Sequence, residues 1–489
     1  MAKLKDIDFG SADAESDPRL REYFVQTEYV RAALDGSSSI FLGRKGSGKT
    51  ALFQQLPELY VGAGRTNIVT IPVTPDEYAW AALRGYQEQG ITPEAAHTNA
   101  WKLTLAIRVA SELTSLERTW SGEAATAINV LEQFLRENYG SADIDLKNAA
   151  LKIVTGLKSF NLSAFGFGVG FDRELPAERL LTPTLIESLL KVIGVCLKGV
   201  GVVVLLDRLD DSWDGSEEAK TLLIGLLKAA KAFNDQFGLT REDAGLQIIT
   251  FLRSDIYAGL DFDEKDKHRS REHWITWTNL ELRAMVEARL PQGESIDSIL
   301  DEGMMRQSTP PFDYIVQRTF LRPREVIQYL TEAKRRGDPE ATYISKDNIR
   351  EAEATYSKWK VEDLKQEYRK AIPELPPLLE ALRQGVHRYD SLSELSSLIA
   401  ERAPPIARTK GSRWGIDQLF DTSAIGVRPN LSGAIRYKSE DSELQLPLDG
   451  AVYVHPSLRL GLNIVERRAD VTNTGAADAD AEADVPTEP

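Results

Sequence analysis

Short runs rich in apolar and β-branched residues alternate along this chain with longer segments of helical periodicity. Five such runs are predicted strands, at residues 38–42, 67–73, 202–206, 246–252 and 274–277. The run at 202–206 is apolar at every position, which is typical of a parallel strand that is covered on both faces. Residues 76–198, and 280 to about 356, instead carry apolar side chains at helical spacing. The pattern predicts an α/β fold with a parallel sheet, a helical insertion and a helical region after the last strand.

Two smaller features complete the pattern. The proline pairs at 376–377 and 404–405 mark helix boundaries in the last part of the chain. We predict three short helices there, followed by strands at 434–438 and 451–454, an order that resembles a winged helix. Alternating Phe and Gly residues between Phe160 and Phe171 indicate a short hairpin.

Composition and charge narrow the class of protein. The net charge of −15 over 489 residues argues against a broad nucleic-acid footprint, which needs clustered Lys and Arg. Cys196 is the only cysteine, so a disulfide framework and a cysteine-based metal site are excluded. The N-terminus lacks the apolar run of a signal peptide, and Lys191 and Lys198 interrupt the longest apolar stretch, which disfavours a membrane span. We expect a cytoplasmic protein with a disordered acidic tail at 466–489.

A glycine-rich sequence directly follows the first predicted strand and precedes a helix. It satisfies G-x-x-x-x-G-K-[ST], the phosphate-binding P-loop, whose glycines let successive backbone N–H groups face a phosphate. Lys49 would reach the β and γ phosphates, the Thr50 hydroxyl would bind Mg²⁺, and the helix N-terminus adds its positive dipole end. The residues predicted to hold ATP here are Gly43, Lys45, Gly46, Ser47, Gly48, Lys49, Thr50 and Ala51.

An aspartate ends the apolar run at 202–206. We expect this strand to lie next to the P-loop strand, where Asp207 would complete the Mg²⁺ site; a helix-capping aspartate is the alternative. Residues 207–211 resemble the D-x-h-[DE]-[DE] form of STAND and NACHT ATPases, in which a later carboxylate polarises the attacking water. By that resemblance Asp210 is the candidate base and Asp211 the reserve, unless both cap the next helix. Arg208 replaces the small residue that is common in NACHT domains.

Arginines at three further places resemble nucleotide-sensing residues. Arg253 ends a core strand and resembles the sensor 1 arginine of STAND ATPases, which could read a γ-phosphate through a bidentate contact; a structural ion pair is the alternative. Arg269 and Arg271 precede the fifth strand, where oligomeric AAA+ proteins carry an arginine finger; solvated surface is the alternative. Arg322 and Arg324 resemble the sensor 2 segment, and an ordinary helix N-terminus is nearly as compatible.

Together these stretches resemble a bacterial family of P-loop ATPases of AAA+ type, related to the origin-recognition-like and STAND branches. The resemblance extends to about residue 464 and implies a three-layer AAA+/ASCE core with a parallel sheet, a helical lid and a C-terminal winged helix, with ATP and Mg²⁺ as cofactors. It is carried by residues 22–25, 43–50, 206–210, 252–255, 322–325, 424–426 and 454–456. The segments expected on this basis are an N-terminal helical segment at 1–35, an ATPase core at 36–279 with its insertion, a lid at 280–365 and the winged helix at 366–465.

The two functional hypotheses differ in what the winged helix contacts, protein or DNA. Its predicted recognition helix and wing carry aspartates and glutamates, which repel phosphates, whereas the adjacent segment at 408–413 is basic. We favour a contact with protein, either in a homo-oligomer or with an effector. The first hypothesis is an ATP-driven regulatory switch that controls assembly or a partner, with phage defence and stress response among its settings. The second is a DNA-binding ATPase resembling origin-recognition or loader proteins.

Overall fold

The computed structural model describes residues 2–73, 93–155, 160–161, 170–171, 183–211, 213–429 and 433–465. The chain divides into two compact units. The sheet unit comprises Gln26–Arg44 and Lys49–Ile275, and the C-terminal unit comprises Met1–Val25, Lys45–Gly48 and Thr276–Pro489. The predicted acidic tail at 466–489 lies outside the described residues.

Seven strands belong to the sheet unit, among its described residues. They are β1 (Ile40–Gly43), β2 (Ile68–Val73), β3 (Phe160–Asn161), β4 (Gly170–Phe171), β5 (Gly201–Leu206), β6 (Gly245–Arg253) and β7 (Glu272–Trp274). Five of them form one parallel sheet in the order β2-β5-β6-β1-β7, which confirms the predicted α/β fold with a parallel sheet. β3 and β4 pair with each other in antiparallel fashion, as the alternating Phe and Gly residues indicated.

The strand order corrects one expectation. The strand that ends before Asp207 is not adjacent to the P-loop strand, because β6 lies between β5 and β1. β6 is the longest strand of this sheet, and its first eight residues are buried, so it needs a neighbour on both sides and takes the central position. This order, with one strand between the P-loop strand and the strand ending in an acid, is that of the AAA+/ASCE core. The register pairs Gly43 with Arg253 and Leu206 with Thr250, so the carboxyl ends of all three strands lie at one edge.

Helices of the sheet unit cover both the sheet and one another. They are α1 (Glu28–Leu34), α2 (Lys49–Gly62), α3 (Pro93–Ser115), α4 (Gly122–Tyr139), α5 (Leu146–Thr155), α6 (Pro183–Leu197), α7 (Glu217–Phe237) and α8 (Ser254–Ala258). α3 and α7 pack closely, and the Trp101 indole N–H donates to the Leu222 carbonyl at 3.0 Å. A Cβ on Gly225 would lie 2.9 Å from the Cβ of His97, so this helix crossing requires a glycine. Parts of the predicted insertion, at 74–92 and in the gaps between 156 and 182, lie outside the described residues.

The N-terminal part of the C-terminal unit holds three 3₁₀ helices, Leu4–Asp6, Ala14–Ser16 and Leu20–Tyr23, and its part after residue 275 begins with five α-helices. They are α9 (Asn279–Glu287), α10 (Ile296–Ile299), α11 (Pro311–Gln317), α12 (Pro323–Arg336) and α13 (Lys346–Glu367). Three of these helix starts have capping boxes, in which Thr278, Ser295 and Ser345 accept backbone N–H groups of the first turn. α12 and α13 pack through the stacked rings of Tyr329 and Tyr356, whose centroids are 4.9 Å apart.

The last hundred residues combine short helices with a small antiparallel sheet. The elements are α14 (Leu375–Leu382), β8 (Arg388–Tyr389), α15 (Leu392–Arg402), α16 (Pro404–Thr409), α17 (Ser412–Asp421), β9 (Ile425–Val427), β10 (Val452–Val454) and α18 (Pro456–Arg459). The sheet order is β8-β10-β9, and this composition of elements is that of a winged helix.

Two details of that prediction are wrong. Four short helices, not three, precede β9. The strand expected at 434–438 is absent from the described residues of that segment, where only Arg436 forms a bridge, to Val427. The chain turns there, since the N–H groups of Glu440 and Asp441 both donate to the Tyr437 carbonyl. None of the helices within the described ranges combines the length and apolarity needed to cross a membrane.

Candidate nucleotide site

The P-loop connects β1 to α2. Gly46 and Gly48 have φ angles of +81° and +100°, a region that side-chain-bearing residues rarely adopt. Around them, Lys45 is exposed, Ser47 is buried, and Ala51 lies in the first turn of α2. The two glycines therefore give the loop the curled backbone that a phosphate-binding nest requires.

Lys49 is the first residue of α2 and is buried although it is charged. Its Nζ donates to the carbonyls of Gly43 at 2.9 Å and Arg44 at 3.1 Å. Burial lowers the pKa of Lys49, while Asp210 and Asp207 favour its charged form. The hydrogen bonds of this buried ammonium go to neutral carbonyls, so an anionic ligand would stabilise it further.

Asp207 follows β5 and is 3% exposed. Burial raises the pKa of its carboxyl to about 6, against the hydrogen bond from the Thr50 side chain and the charge of Lys49, which lower it. The Thr50 hydroxyl and the Asp207 carboxylate thus lie together, and oxygen ligands of this kind are those that Mg²⁺ prefers. The raised pKa shows a carboxylate whose burial is not fully offset, so these residues fit a divalent cation.

The two acidic candidates after Asp207 differ in their surroundings. Arg208 has a left-handed φ of +55° and pairs with Asp211 at 2.6 Å, where both side chains are exposed. Asp210 instead lies 3.7 Å from the guanidinium of Arg253 and contributes to the field at Lys49. The alternative interpretation, in which both residues cap the next helix, is wrong, because the side chain that caps α7 is that of Ser216.

Arg253 lies beside the start of the P-loop, paired in register with Gly43. Its Nε and Nη2 atoms donate to the two carboxylate oxygens of Asp255 at 3.1 and 2.6 Å, which is the bidentate geometry of strong arginine–carboxylate pairs. Asp255 was not singled out from the sequence. It belongs to the stretch 252–255 that carries the family resemblance, but the resemblance gave it no role.

Arg269 and Arg271 lie near the amino end of β1, whereas the P-loop follows its carboxyl end. Both belong to a 3₁₀ segment, Lys265–Arg271, and the Arg271 carbonyl accepts the N–H of Ser39, which precedes β1. Gly43 lies four positions after Ser39, and this distance is about 13 Å along an extended strand. The structure therefore does not bring these arginines to the P-loop of their own chain. An arginine finger acts on a neighbouring subunit, so that prediction remains.

The sensor 2 candidates lie in the C-terminal unit, as does the loop segment Lys45–Gly48. Arg322 is 4% exposed, and its Nη1 donates to the Lys45 carbonyl at 3.1 Å and to Glu367 at 2.9 Å. Arg324 donates from Nε to the Ala12 carbonyl at 3.2 Å, and its Cβ would lie 3.1 Å from a Cβ on Gly46. Arg322 is therefore buried and hydrogen-bonds the backbone of the loop at Lys45, whereas the side chain of Arg324 packs against Gly46.

Trp277 is a second residue that the sequence did not assign to the site. Its indole N–H donates to the Ser47 carbonyl at 2.8 Å, within the C-terminal unit. The apolar pattern placed Trp277 in the fifth strand, but β7 ends at Trp274. No local motif marks a tryptophan as a partner of a loop that lies more than two hundred residues earlier.

The basic segment at 408–413 is largely neutralised within its own unit. Lys410 pairs with Glu374 at 2.6 Å and lies 4.3 Å from the ring centroid of Trp414. Arg413 pairs with Asp417 at 3.0 Å. A phosphate backbone would have to displace these carboxylates to reach the two cations.

Comparisons with known proteins give one domain match and several distant similarities. A model of the FunZ-associated C-terminal helical domain matches residues 276–365, the range that holds α9 to α12 and most of α13. The putative transposon gamma-delta 80.3 kDa protein of Escherichia coli strain K12 is 24% identical, with 93% of this chain and 67% of that protein covered.

Two solved structures are similar over most of the chain. The ORC2 protein of Aeropyrum pernix, in ADPNP–ADP complexes, has a TM-score of 0.36 at 11% identity, with 94% of this chain and 96% of that chain covered. Cdc6p of Pyrobaculum aerophilum has a TM-score of 0.27 at 11% identity, with 91% and 93% covered. These scores lie below the level at which shared function follows from structural likeness.

Proposed function

We propose that this protein binds Mg²⁺–ATP at the P-loop and hydrolyses it to ADP and phosphate. The observation that carries the proposal is the grouping of Lys49, Thr50 and Asp207 in the sheet unit. Lys49 is a buried cation that follows two left-handed glycines in the sequence, and Thr50 hydrogen-bonds a buried carboxylate whose pKa is raised. Each of these groups is incompletely stabilised by the protein and complementary to a phosphate or a divalent cation.

Each residue of the proposed site has a separate role. Backbone N–H groups of the loop and the Lys49 ammonium hold the phosphates, and Thr50 and Asp207 hold the cation. Mg²⁺, when bound, supplies charge neutralisation at the β and γ phosphates. Asp210 is the group that orients the attacking water and accepts its proton, because it lies near Lys49 while Asp211 is paired with Arg208 at the surface.

At the level of the whole protein, we propose a nucleotide-dependent regulatory switch that controls self-assembly or a protein partner in the cytoplasm. Arg269 and Arg271 support this proposal, because a neighbouring subunit could use them as an arginine finger. The alternative, a DNA-binding ATPase, is raised by the transposon name of the Escherichia coli relative. The acidic wing and the paired Lys410 and Arg413 favour the switch over the DNA-binding function.

Calorimetric titration of ATP into the wild type and Lys49→Ala tests the proposed binding. We expect the variant to lose most of its ATP affinity, because the buried ammonium that meets the β and γ phosphates is removed. Lys231→Ala is a matched control in the sheet unit, since Lys231 pairs with Asp235 on α7. Unchanged ATP affinity in folded Lys49→Ala would contradict the P-loop assignment.

A further inference from the structure

Two carbonyl groups of the P-loop are held by side chains of the C-terminal unit, to which loop residues 45–48 themselves belong. The Lys45 carbonyl accepts a hydrogen bond from Nη1 of Arg322 at 3.1 Å. The Ser47 carbonyl accepts one from the indole N–H of Trp277 at 2.8 Å. These two side chains, which lie 277 and 230 residues further along the chain, are the anchors of the loop.

Both anchors are themselves fixed by burial and by further contacts. Arg322 is 4% exposed, and its Nη1 also donates to Glu367 at 2.9 Å and lies 3.5 Å from Glu325, which in turn pairs with Lys360. Trp277 is 7% exposed. Side chains that are locked in this way can hold another group in one geometry. The two loop carbonyls are therefore constrained in direction.

The direction of a carbonyl fixes that of the N–H group in the same peptide unit. A trans peptide is planar, and its C=O and N–H bonds point in opposite directions. The Lys45 carbonyl shares its peptide unit with the Gly46 N–H, and the Ser47 carbonyl shares its unit with the Gly48 N–H. Neither N–H group donates a hydrogen bond within the described part of the chain. Both therefore point away from the anchors and are available to an anion.

We propose that Arg322 and Trp277 are positioning residues that order the P-loop before nucleotide binds, by turning the Gly46 and Gly48 N–H groups towards the phosphates. Glycine loses more conformational freedom on ordering than any other residue, so a loop of this composition gains most from being ordered in advance. The proposal rests on the proposed ATP site. It gives Arg322 a role on the loop backbone in place of a contact with the nucleotide.

Positioning of the loop and direct contact with the γ-phosphate predict different nucleotide preferences. The loop backbone holds phosphates that ATP and ADP have in common, so a less ordered loop weakens the binding of both by the same factor. A guanidinium that contacts the γ-phosphate affects ATP alone. A role in fold stability alone leaves both affinities of the folded protein unchanged. Measuring the two affinities together therefore distinguishes the three roles.

Trp277→Phe removes one donor and keeps an aromatic ring in its place. We expect the affinities for ATP and ADP, both titrated calorimetrically with Mg²⁺, to fall together by roughly two- to tenfold, which is the usual contribution of one hydrogen bond. Trp101→Phe is the matched control, because Trp101 is 0% exposed and its indole N–H also donates to a backbone carbonyl, that of Leu222, in the sheet unit. It should leave both affinities unchanged.

Arg322→Ala removes the other anchor and should likewise weaken ATP and ADP by one common factor. Its control is Arg318→Ala in the same unit, because Arg318 is also largely buried and pairs with a glutamate, but its hydrogen bonds go to Glu353 and the Tyr314 carbonyl. The control should change neither affinity.

Unchanged affinities in Trp277→Phe overturn the positioning of the loop, and this variant decides alone should Arg322→Ala not fold. A loss confined to ATP in Arg322→Ala assigns that arginine to the γ-phosphate and overturns its role as an anchor. A wild type that binds neither nucleotide overturns the proposed function itself.

Discussion

The two units each contain a cluster of charged side chains, and the clusters differ in the balance of positive and negative charge. In the C-terminal unit, Arg322 and Lys360 pair with Glu325 and Glu367, and all four side chains are at most 6% exposed. In the sheet unit, Lys49, Asp207, Asp210, Arg253 and Asp255 form a group that is partly exposed and carries an excess of negative charge.

The protonation equilibria reflect this difference. Burial opposes ionisation of Glu325, but the charges of Lys360 and Arg322 outweigh it, so its pKa is lowered. At Asp207 burial prevails over Thr50 and Lys49, and the pKa is raised to about 6. A cluster whose charges balance has no electrostatic need of a ligand, whereas one with an excess of negative charge has affinity for cations. The comparison therefore supports the proposed cation site by an argument that does not depend on any motif.

The largest effect should come from breaking the C-terminal cluster. Glu325 accepts hydrogen bonds from the Phe320 backbone N–H, the Tyr356 hydroxyl and Lys360. Glu325→Ala should lower the free energy of unfolding by about 3–5 kcal/mol, because it leaves buried cations uncompensated. Urea denaturation measures the change, with Glu340→Ala, an exposed partner of Lys3 and Lys5, as a control of little effect. Equal stability in the two variants would remove the distinction between the clusters.

In the sheet unit, the expected loss is one of rate. Asp210→Asn should bind Mg²⁺–ATP and hydrolyse it roughly 10²–10⁴-fold more slowly, since that is the contribution of a positioned general base. Phosphate release under saturating ATP measures the rate. Asp211→Asn is the matched comparison, because Asp211 pairs with Arg208 at the surface and should retain most activity. The reverse ranking would assign the base to Asp211.

The ionisation of Asp207 should make the free energy of unfolding depend on pH. Its folded-state pKa of about 6 exceeds the ordinary value of 3.8, so the folded protein binds this proton more tightly than the unfolded chain. The stabilising contribution is greatest below about pH 4 and is lost as the pH rises through 6. At pH 7 the charged carboxylate then costs about 3 kcal/mol, from ~1.36 kcal/mol per pKa unit.

Asp207→Asn should therefore raise the free energy of unfolding of the nucleotide-free protein at pH 7, by up to about 3 kcal/mol, and by little near pH 4. The same variant should lose the stabilisation that Mg²⁺–ATP confers on the wild type. Chemical denaturation across this pH range, with and without Mg²⁺–ATP, measures both. A variant that is less stable than the wild type at pH 7, or keeps the full Mg²⁺ response, would contradict the assignment.

The smallest effect is expected at the exposed basic segment 408–413, where Lys410 and Arg413 already pair with carboxylates. Replacing Arg408, Lys410 and Arg413 with Ala should change duplex DNA binding little, because we expect that binding to be weak at the outset. Fluorescence anisotropy over a salt series measures it. Sub-micromolar affinity at physiological salt, lost in the triple variant with a log–log slope flatter by roughly 2–3, would instead support the DNA-binding alternative.

The sequence predicted what depends on local pattern. β5 is apolar throughout because both faces are covered, and the P-loop follows from a contiguous motif, so the α/β fold and the loop at 43–50 could be identified. The position of β6 between β5 and β1 could not, because strand order depends on burial between distant segments. The strand predicted at 434–438 was wrong for a local reason, since hydrogen bonds from Glu440 and Asp441 to the Tyr437 carbonyl turn the chain there.

Within the site, the ranking of Asp210 and Asp211 depends on a backbone angle. The left-handed conformation of Arg208 accompanies its pairing with Asp211, and no propensity of arginine predicts that angle. For Arg253, an ion pair was one of the two interpretations, but its partner Asp255 was hidden, because the pairing depends on how a side chain turns at the end of a strand. The roles that we assign to these residues remain predictions.

The hydrogen bond from Trp277 to the Ser47 carbonyl gives the phosphate-binding loop an optical label of its own. The fluorescence emission of an indole changes in wavelength and intensity when the hydrogen bond of the indole N–H group or the solvent exposure of the ring changes. Trp277 is 7% exposed, so its emission should lie towards the blue while this bond holds. Subtracting the spectrum of Trp277→Phe from that of the wild type isolates this one signal among eight tryptophans, and reports movement of the loop without any attached dye.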